Sequence, residues 1–118
     1  MEKNIFEGVK AAYKGLDDKL AIDIKVLDIR EISPIADYFL IASGSNSNQI
    51  KAMADAVEEN LYKAGFRLSH SEGMQTGSWI LLDFGDIIVH LFNEEDRSFY
   101  NLERIWGDAK EVSSDELK

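Results

Sequence analysis

The stretch WILLDFGDIIVHLF, residues 79–92, constrains the fold of this chain more than any other feature. Two apolar runs flank Gly85-Asp86, and a glycine at the first position of a two-residue turn favours a type II′ β-hairpin. We therefore predict antiparallel strands over Trp79–Phe84 and Ile87–Phe92. The register that follows pairs Trp79 with Phe92, Ile80 with Leu91, Leu81 with His90, Leu82 with Val89, and Asp83 with Ile88.

The two faces of this hairpin differ in chemistry, because successive side chains of a strand point to opposite faces. One face is wholly apolar and is predicted to be core. The other mixes aromatic, aliphatic, acidic and imidazole groups, a composition typical of protein interfaces built around aromatic anchors. Either another element of the chain covers this second face or an external partner does. The second face consists of Trp79, Leu81, Asp83, Ile88, His90 and Phe92.

The acids and the histidine of the hairpin raise two chemical alternatives, a metal site and a general acid–base pair. Asp86 lies in the predicted turn, about 13 Å from His90 at ~3.3 Å per residue of strand. Asp83 and His90 remain as two ligands, where three or four are usual. No nucleophile or oxyanion pocket accompanies them in the sequence. We predict a polar contact between Asp83 and His90, no metal, no cofactor, and a protein that is not an enzyme.

Helical and strand-like patterns alternate along the rest of the chain. Helical spacing predicts helices over 3–16 and 46–64 and a last helix between Asn93 and Gly107. Strand patterns lie at 20–29, at 37–44 and at 66–69, and the nearly continuous apolar run at 37–44 predicts a central strand. The order indicates an α/β fold of the two-layer α+β kind, with a mixed sheet of about five strands and flanking helices. Residues 1–107 are predicted to form a single domain and 108–118 a flexible acidic tail.

Local signals mark the helix ends. Asn46 and Gln49 resemble a capping box at the start of the second helix, and Gly65 occupies the position of a left-handed cap at its end. Gly8 is expected to weaken the first helix by about 1 kcal/mol relative to alanine.

Charge and composition restrict the partners. The 118 residues include 22 acids against 13 bases, for a net charge of −9. Such a surface repels nucleic acid, so we expect no direct DNA binding and little direct RNA contact, whereas a basic protein partner fits the charge. The chain has no cysteine and no apolar run near 18 residues, which predicts a cytoplasmic protein without a membrane segment.

The segment ASGSNSNQ, residues 42–49, runs from a strand into a helix and offers backbone N–H groups to a phosphate. Gly44-Ser45 also opens the site of nucleotidyltransferases, but the Asp-x-Asp pair that holds their magnesium ions is missing. A small-molecule or nucleotide-binding protein that uses this turn is the alternative function. A homodimer that buries the second hairpin face against itself is a third possibility.

Four motifs occur in a fixed order: DYFLIASGS at 37–45, Glu72-Gly73, WILLDFGDIIVHLF at 79–92 and RSFYNLERIW at 97–106. This ordered set resembles the bacterial ribosomal silencing factors, or iojap-like family, from the first helix through Trp106. The resemblance implies a nucleotidyltransferase-like fold without catalytic acids. It also implies binding to ribosomal protein fourteen of the large subunit, steric block of subunit joining, and repression of translation under nutrient limitation. The family's interface tryptophan falls on Trp79.

The resemblance extends to other candidate contact residues. Leu81, Asp83 and His90 match the family pattern around the interface tryptophan. Arg97 and Tyr100 follow the hairpin and are further candidates. The predicted partner-binding set is therefore Trp79, Leu81, Asp83, Ile88, His90, Phe92, Arg97 and Tyr100.

Overall fold

The computed structural model describes residues 4–31, 34, 36–75, 79–94 and 110–117, and all statements below refer to these residues. Helices α1, α2 and α3 span Ile5–Asp18, Ser47–Lys63 and Ser114–Leu117. Strands β1 to β6 span Ile22–Asp28, Tyr38–Gly44, His70–Glu72, Trp79–Asp83, Ile87–Asn93 and Lys110–Glu111.

The strands form one mixed sheet in the order β3-β4-β5-β2-β1-β6. Strands β2 and β5 run parallel, and the other neighbouring strands run antiparallel. The predicted α+β class with a mixed sheet is confirmed. The sheet has six strands in the described part of the chain, and the strand beyond the predicted five is β6.

Strand β2 lies at the centre of the sheet, and all seven of its residues are buried. Tyr38, Leu40 and Ala42 belong to a core cluster with buried side chains of α1 and α2, whereas Phe39 and Ile41 belong to a second cluster. The sheet is thus buried on both faces along this strand, as its continuous apolar run predicts.

The β4–β5 hairpin has the predicted register. Trp79 pairs with Phe92, Leu81 with His90, and Asp83 with Ile88. At the turn Gly85 has φ +89°, a conformation that glycine adopts without the steric cost of a Cβ.

Helix α2 begins and ends with the predicted caps, with one difference. Asn46 Oδ1 accepts from the Gln49 N–H at 2.8 Å, but the Gln49 side chain accepts from the Ser45 N–H at 2.6 Å, one residue before the cap. At the other end Gly65 has φ +95° and donates to the Tyr62 carbonyl, while the next N–H donates to the Leu61 carbonyl. These two bonds form a Schellman motif.

The strand predicted at 66–69 is wrong, because pairing with β4 begins later, at His70. Phe66 follows the Schellman glycine of α2 and is only 2% exposed, since its ring packs against Gly8 of α1. Residue 66 therefore belongs to the C-terminal motif of α2, and the strand begins only at His70. The Ser69 N–H donates to the Asp83 carbonyl at 2.8 Å, just before the strand itself.

The chain end differs from the flexible tail expected at 108–118. Strand β6 pairs with β1, and the Val112 N–H donates to the Val26 carbonyl at 2.7 Å. Leu117 is 5% exposed and belongs to the core cluster between helices and sheet. Val112 and Leu117 are the apolar residues of this acidic segment that pack against the core cluster. The helix predicted between Asn93 and Gly107 lies mostly on residues 95–107, outside the described part, and its predicted cap Asn93 is the last residue of β5.

Candidate partner-binding face

One face of the sheet carries helices α1 and α2, and the other carries most of the predicted site. We call the latter the aromatic face. Its buried residues form a separate cluster, against which Trp79 and Leu81 pack while partly exposed. The aromatic face comprises Phe39, Ile41, Trp79, Leu81, Asp83, Ile88, His90 and Phe92.

Three rings stack along the end of the hairpin. The Trp79 ring lies 5.9 Å from that of Phe92 and 6.3 Å from that of His90, with interplanar angles of 7° and 10°. Phe39 on β2 meets His90 edge-on at 5.2 Å. Aromatic pairs in such geometries contribute about 0.5–1.5 kcal/mol beyond the area they bury. Stacking on Phe92 and His90 therefore fixes the orientation of the Trp79 indole.

His90 is a buried polar group of this face, with only 7% of its surface exposed. Burial disfavours the charged imidazolium and lowers the pKa of His90 to about 4. The Trp79 Nε1–H donates to His90 Nδ1 at 3.4 Å, and this nitrogen accepts only in the neutral ring. At neutral pH the centre of the aromatic face thus carries no charge.

Asp83 lies at the turn end of β4, where its Oδ1 accepts from the Gly85 N–H at 2.8 Å. The predicted polar contact between Asp83 and His90 is replaced by these two separate hydrogen bonds, one to the turn and one to Trp79. The acid therefore has a structural role in the hairpin turn. It also keeps part of its surface accessible.

The structure divides the predicted site residues into two groups. Those on β4, namely Trp79, Leu81 and Asp83, are partly exposed. Those on β5 are buried, and their part in partner binding stays a prediction. The buried members are Ile88, His90 and Phe92, whereas Arg97 and Tyr100 lie outside the described residues.

Sequence reasoning missed the rim beside β4. His70 pairs with Asp83 and Glu72 with Leu81, so both side chains extend the aromatic face at its edge. The two are exposed and linked at 3.0 Å between Nε2 and Oε1. The alternation of polar residues at 70 and 72 was the available signal, and it was obscured because the strand was predicted four residues too early.

The glycine of the Glu72-Gly73 motif also belongs to this site. Gly73 has φ +83°, and a Cβ there would collide with the backbone carbonyl of Trp79. The motif therefore brings the loop close against the start of β4 and fixes the backbone that carries the tryptophan.

The turn at 42–49 is closed by its own side chains. Gln49 and Asn46 accept from backbone N–H groups that a phosphate would need, at Ser45 and Gln49. A Cβ at Gly44 would lie 2.7 Å from Ile50 Cγ1, so this glycine permits the close approach of helix α2. The geometry favours a structural turn over a ligand site.

The described residues contain no group of three or more His, Asp or Glu side chains placed to hold a metal ion. No helix in these ranges has the length and apolar character to cross a membrane.

Comparison with protein families gives a match to "Ribosomal silencing factor during starvation" over residues 2–118. The chain belongs to the ribosomal silencing factor family. The family resemblance noted in the sequence is thereby confirmed. The match continues past Trp106 through the segment that docks on β1.

Two bacterial ribosomal silencing factors are similar to this chain over most of their length, and a chloroplastic protein over less than half of its length. The factor of Bacillus subtilis is 43% identical over 101 residues, covering 86% of both chains. That of Zymomonas mobilis is 46% identical over 99 residues, covering 84% of this chain and 74% of the relative. The chloroplastic protein Iojap of Arabidopsis thaliana is 34% identical over 99 residues, covering 84% of this chain and 41% of that protein.

Solved structures agree with the fold. A crystal structure of a Chromobacterium violaceum protein superposes with a TM-score of 0.83 at 33% identity, covering 96% of this chain and 92% of the other. A second, from Bacillus halodurans, gives 0.78 at 32% identity, with 89% and 95% covered.

Proposed function

We propose that this protein silences ribosomes by binding ribosomal protein fourteen of the large subunit and sterically blocking subunit joining. Translation is thereby repressed under nutrient limitation, and the protein acts in the cytoplasm as a binding protein, not as an enzyme. Membership of the ribosomal silencing factor family supports the class of function. The partner and the steric mechanism are what the resemblance implies.

The observation that carries the proposal is the seating of Trp79 at the accessible edge of the aromatic face. Its ring is partly exposed yet stacked on Phe92 and His90, so its orientation is fixed before any partner arrives. A preorganised anchor loses less conformational entropy on binding than a freely rotating one. Large aromatic residues in such settings commonly dominate interface energies.

The residues around Trp79 fit a basic partner. Leu81 extends the apolar contact along β4, while Asp83 and Glu72 provide carboxylates beside it. The net charge of −9 speeds encounter with a positively charged surface. The buried β5 residues would hold the β4 side chains in position. The β4 residues, with His70 and Glu72 at the edge of the face, would touch the partner.

A subunit-joining assay tests the mechanism. Purified small and large subunits are mixed at a magnesium concentration that favours whole ribosomes, with increasing amounts of the protein. The proposal predicts a dose-dependent loss of whole ribosomes and accumulation of free subunits. Unchanged joining at saturating, folded protein would contradict the steric block. The homodimer stays a prediction, which sedimentation of the free protein tests.

A further inference from the structure

Leu20 is an exposed apolar side chain in an unfavourable backbone conformation. It is 80% exposed, and the other large hydrophobic exposed in the described ranges is Tyr62 at 64%. Its φ of +60° lies in the left-handed region, which costs an L-residue about 1–2 kcal/mol. An exposed leucine and a strained backbone at the same position are two local costs, and the described residues do not bury this side chain to offset them.

The two long helices end in the same motif, but the position that is glycine after α2 is leucine after α1. After α1, the Leu20 N–H donates to the Asp17 carbonyl and the Ala21 N–H to the Leu16 carbonyl. After α2 the equivalent position is Gly65, the residue that this Schellman geometry prefers. The fold thus accommodates glycine at one helix end, whereas the other carries a branched apolar side chain directed to solvent.

Hydrogen bonds from helix α2 fix the turn that carries Leu20. Gln49 Nε2 donates to the carbonyls of Lys19 and Leu20, at 3.1 and 3.0 Å. These bonds connect the end of α1 to the start of α2, so the leucine is presented on a fixed backbone. A fixed apolar group meets a partner at low entropic cost.

Leu20 lies at the same end of the sheet as Trp79. Ile22 pairs with Ser43, Ser43 with Phe92, and Phe92 with Trp79. Three strand spacings of ~4.8 Å separate Ile22 from Trp79, about 14 Å in all, and Leu20 precedes Ile22 by two residues. A protein interface of ordinary size is roughly 30 Å across, since it buries about 800 Å² on each partner. One partner can therefore cover both residues.

We propose that Leu20 is a second anchor of the interface formed by Trp79, and that it inserts into an apolar pocket on the same basic ribosomal protein. This inference rests on the proposed function. The surroundings of Leu20 fit the same partner, because Asp17, Asp18 and Asp23 place carboxylates close to it along the chain. An apolar anchor within an acidic rim repeats the arrangement of Trp79 with Glu72 and Asp83.

The test measures affinity for purified large subunits together with the melting temperature (Tm) of each variant. Leu20→Gly and Leu20→Ser should weaken binding about 10- to 100-fold, which corresponds to removing one buried leucine. Leu20→Gly should keep or raise Tm, since glycine adopts the positive φ without a Cβ penalty. Loss of binding without loss of stability is the expected signature. Leu20→Met, which keeps an apolar side chain, should retain most of the affinity.

Two further variants separate this inference from the proposed function. Trp79→Ala should weaken binding, and Tyr62→Ser, which removes the other large exposed hydrophobic of the described residues, should leave affinity within about twofold. If Leu20→Gly and Leu20→Ser bind like wild type while Trp79→Ala does not, the second anchor is wrong and the proposed function stands. If folded wild-type protein fails to bind large subunits, the proposed function is wrong and the second anchor falls with it.

Discussion

The indole nitrogen of Trp79 lies 3.4 Å from Nδ1 of His90, and the planes of the two rings are 10° apart. His90 accepts this hydrogen bond only as a neutral imidazole, and burial lowers its pKa to about 4. The side chain proposed to meet the ribosome is thus oriented by a buried group that is uncharged at neutral pH.

The buried His90 predicts a specific pH dependence of stability. An unfolded chain binds the proton with a pKa near ~6.5, whereas the folded protein does so near 4. Between these values the unfolded state binds more protons, so the free energy of unfolding falls as pH falls from about 6.5 to 4. The contribution of His90 is fully present above pH ~6.5 and amounts to about 3 kcal/mol. Urea unfolding at several pH values measures it.

A His90→Phe variant is the control for this pH effect. Phenylalanine keeps a ring but cannot titrate, so the loss of stability between pH 6.5 and 4 should shrink. NMR titration of the His70→Gln variant, which retains His90 as the only imidazole of the chain, gives the folded pKa directly. A folded pKa of His90 near 6.5 would contradict the account.

Gly8→Ala should destabilise the protein by about 1–3 kcal/mol, although alanine normally favours a helix by about 1 kcal/mol. A Cβ at Gly8 would lie 2.6 Å from Cε2 of Phe66 and 3.0 Å from Cδ1 of Ile87. Both neighbours are buried and have little room to move. In a Phe66→Leu background the same substitution should cost less, and a higher Tm for Gly8→Ala alone would refute the packing argument.

Gln49→Ala should lower the free energy of unfolding by about 1–3 kcal/mol. It removes one bond to the Ser45 N–H and two to the carbonyls of Lys19 and Leu20. Gln49→Glu is the matched control, because it keeps the acceptor for Ser45 but cannot donate to the carbonyls. Its loss of stability should be intermediate in chemical denaturation, and equal stability of wild type and Gln49→Ala would show that these bonds contribute nothing.

Asp83→Asn should slow association with the large subunit and reduce its dependence on salt concentration, since it removes a charge from the proposed contact. The amide oxygen can still accept from the Gly85 N–H, so the hairpin turn is preserved. Asp83→Lys should have a larger effect on the rate and should also destabilise the turn. Association rates at several salt concentrations measure both, and an unchanged salt dependence in Asp83→Lys would argue against electrostatic steering.

The hairpin and the central strand followed from the sequence because their signals are local. Alternation at residues 79–92 and a glycine turn at Gly85 determine the register, and the apolar run at 37–44 indicates burial on both faces. The prediction of a strand at 66–69 was wrong because Phe66, although typical of strands, completes the Schellman motif of α2. Its ring packs against Gly8 of α1. That contact joins distant parts of the chain, and no local pattern contains it.

The chemistry of the candidate site was only partly accessible from the sequence. The second hairpin face follows from alternation, but alternation does not tell which of its residues are covered. Burial separates the accessible Trp79 from the buried His90, and the direction of their hydrogen bond depends on the fold. Leu20 was assigned to a strand pattern, because a left-handed residue after a helix is normally marked by glycine.

Trp79 is the residue proposed to anchor the protein on the large ribosomal subunit. Co-sedimentation of wild type and Trp79→Ala with purified subunits on a gradient tests it most directly, with Tm of both proteins measured in parallel. Loss of a central aromatic anchor commonly costs about 2–4 kcal/mol, which corresponds to roughly 30- to 800-fold in affinity. We expect wild type to travel with the large subunit and a folded Trp79→Ala to remain at the top. Equal co-sedimentation of the two folded proteins would contradict the claim.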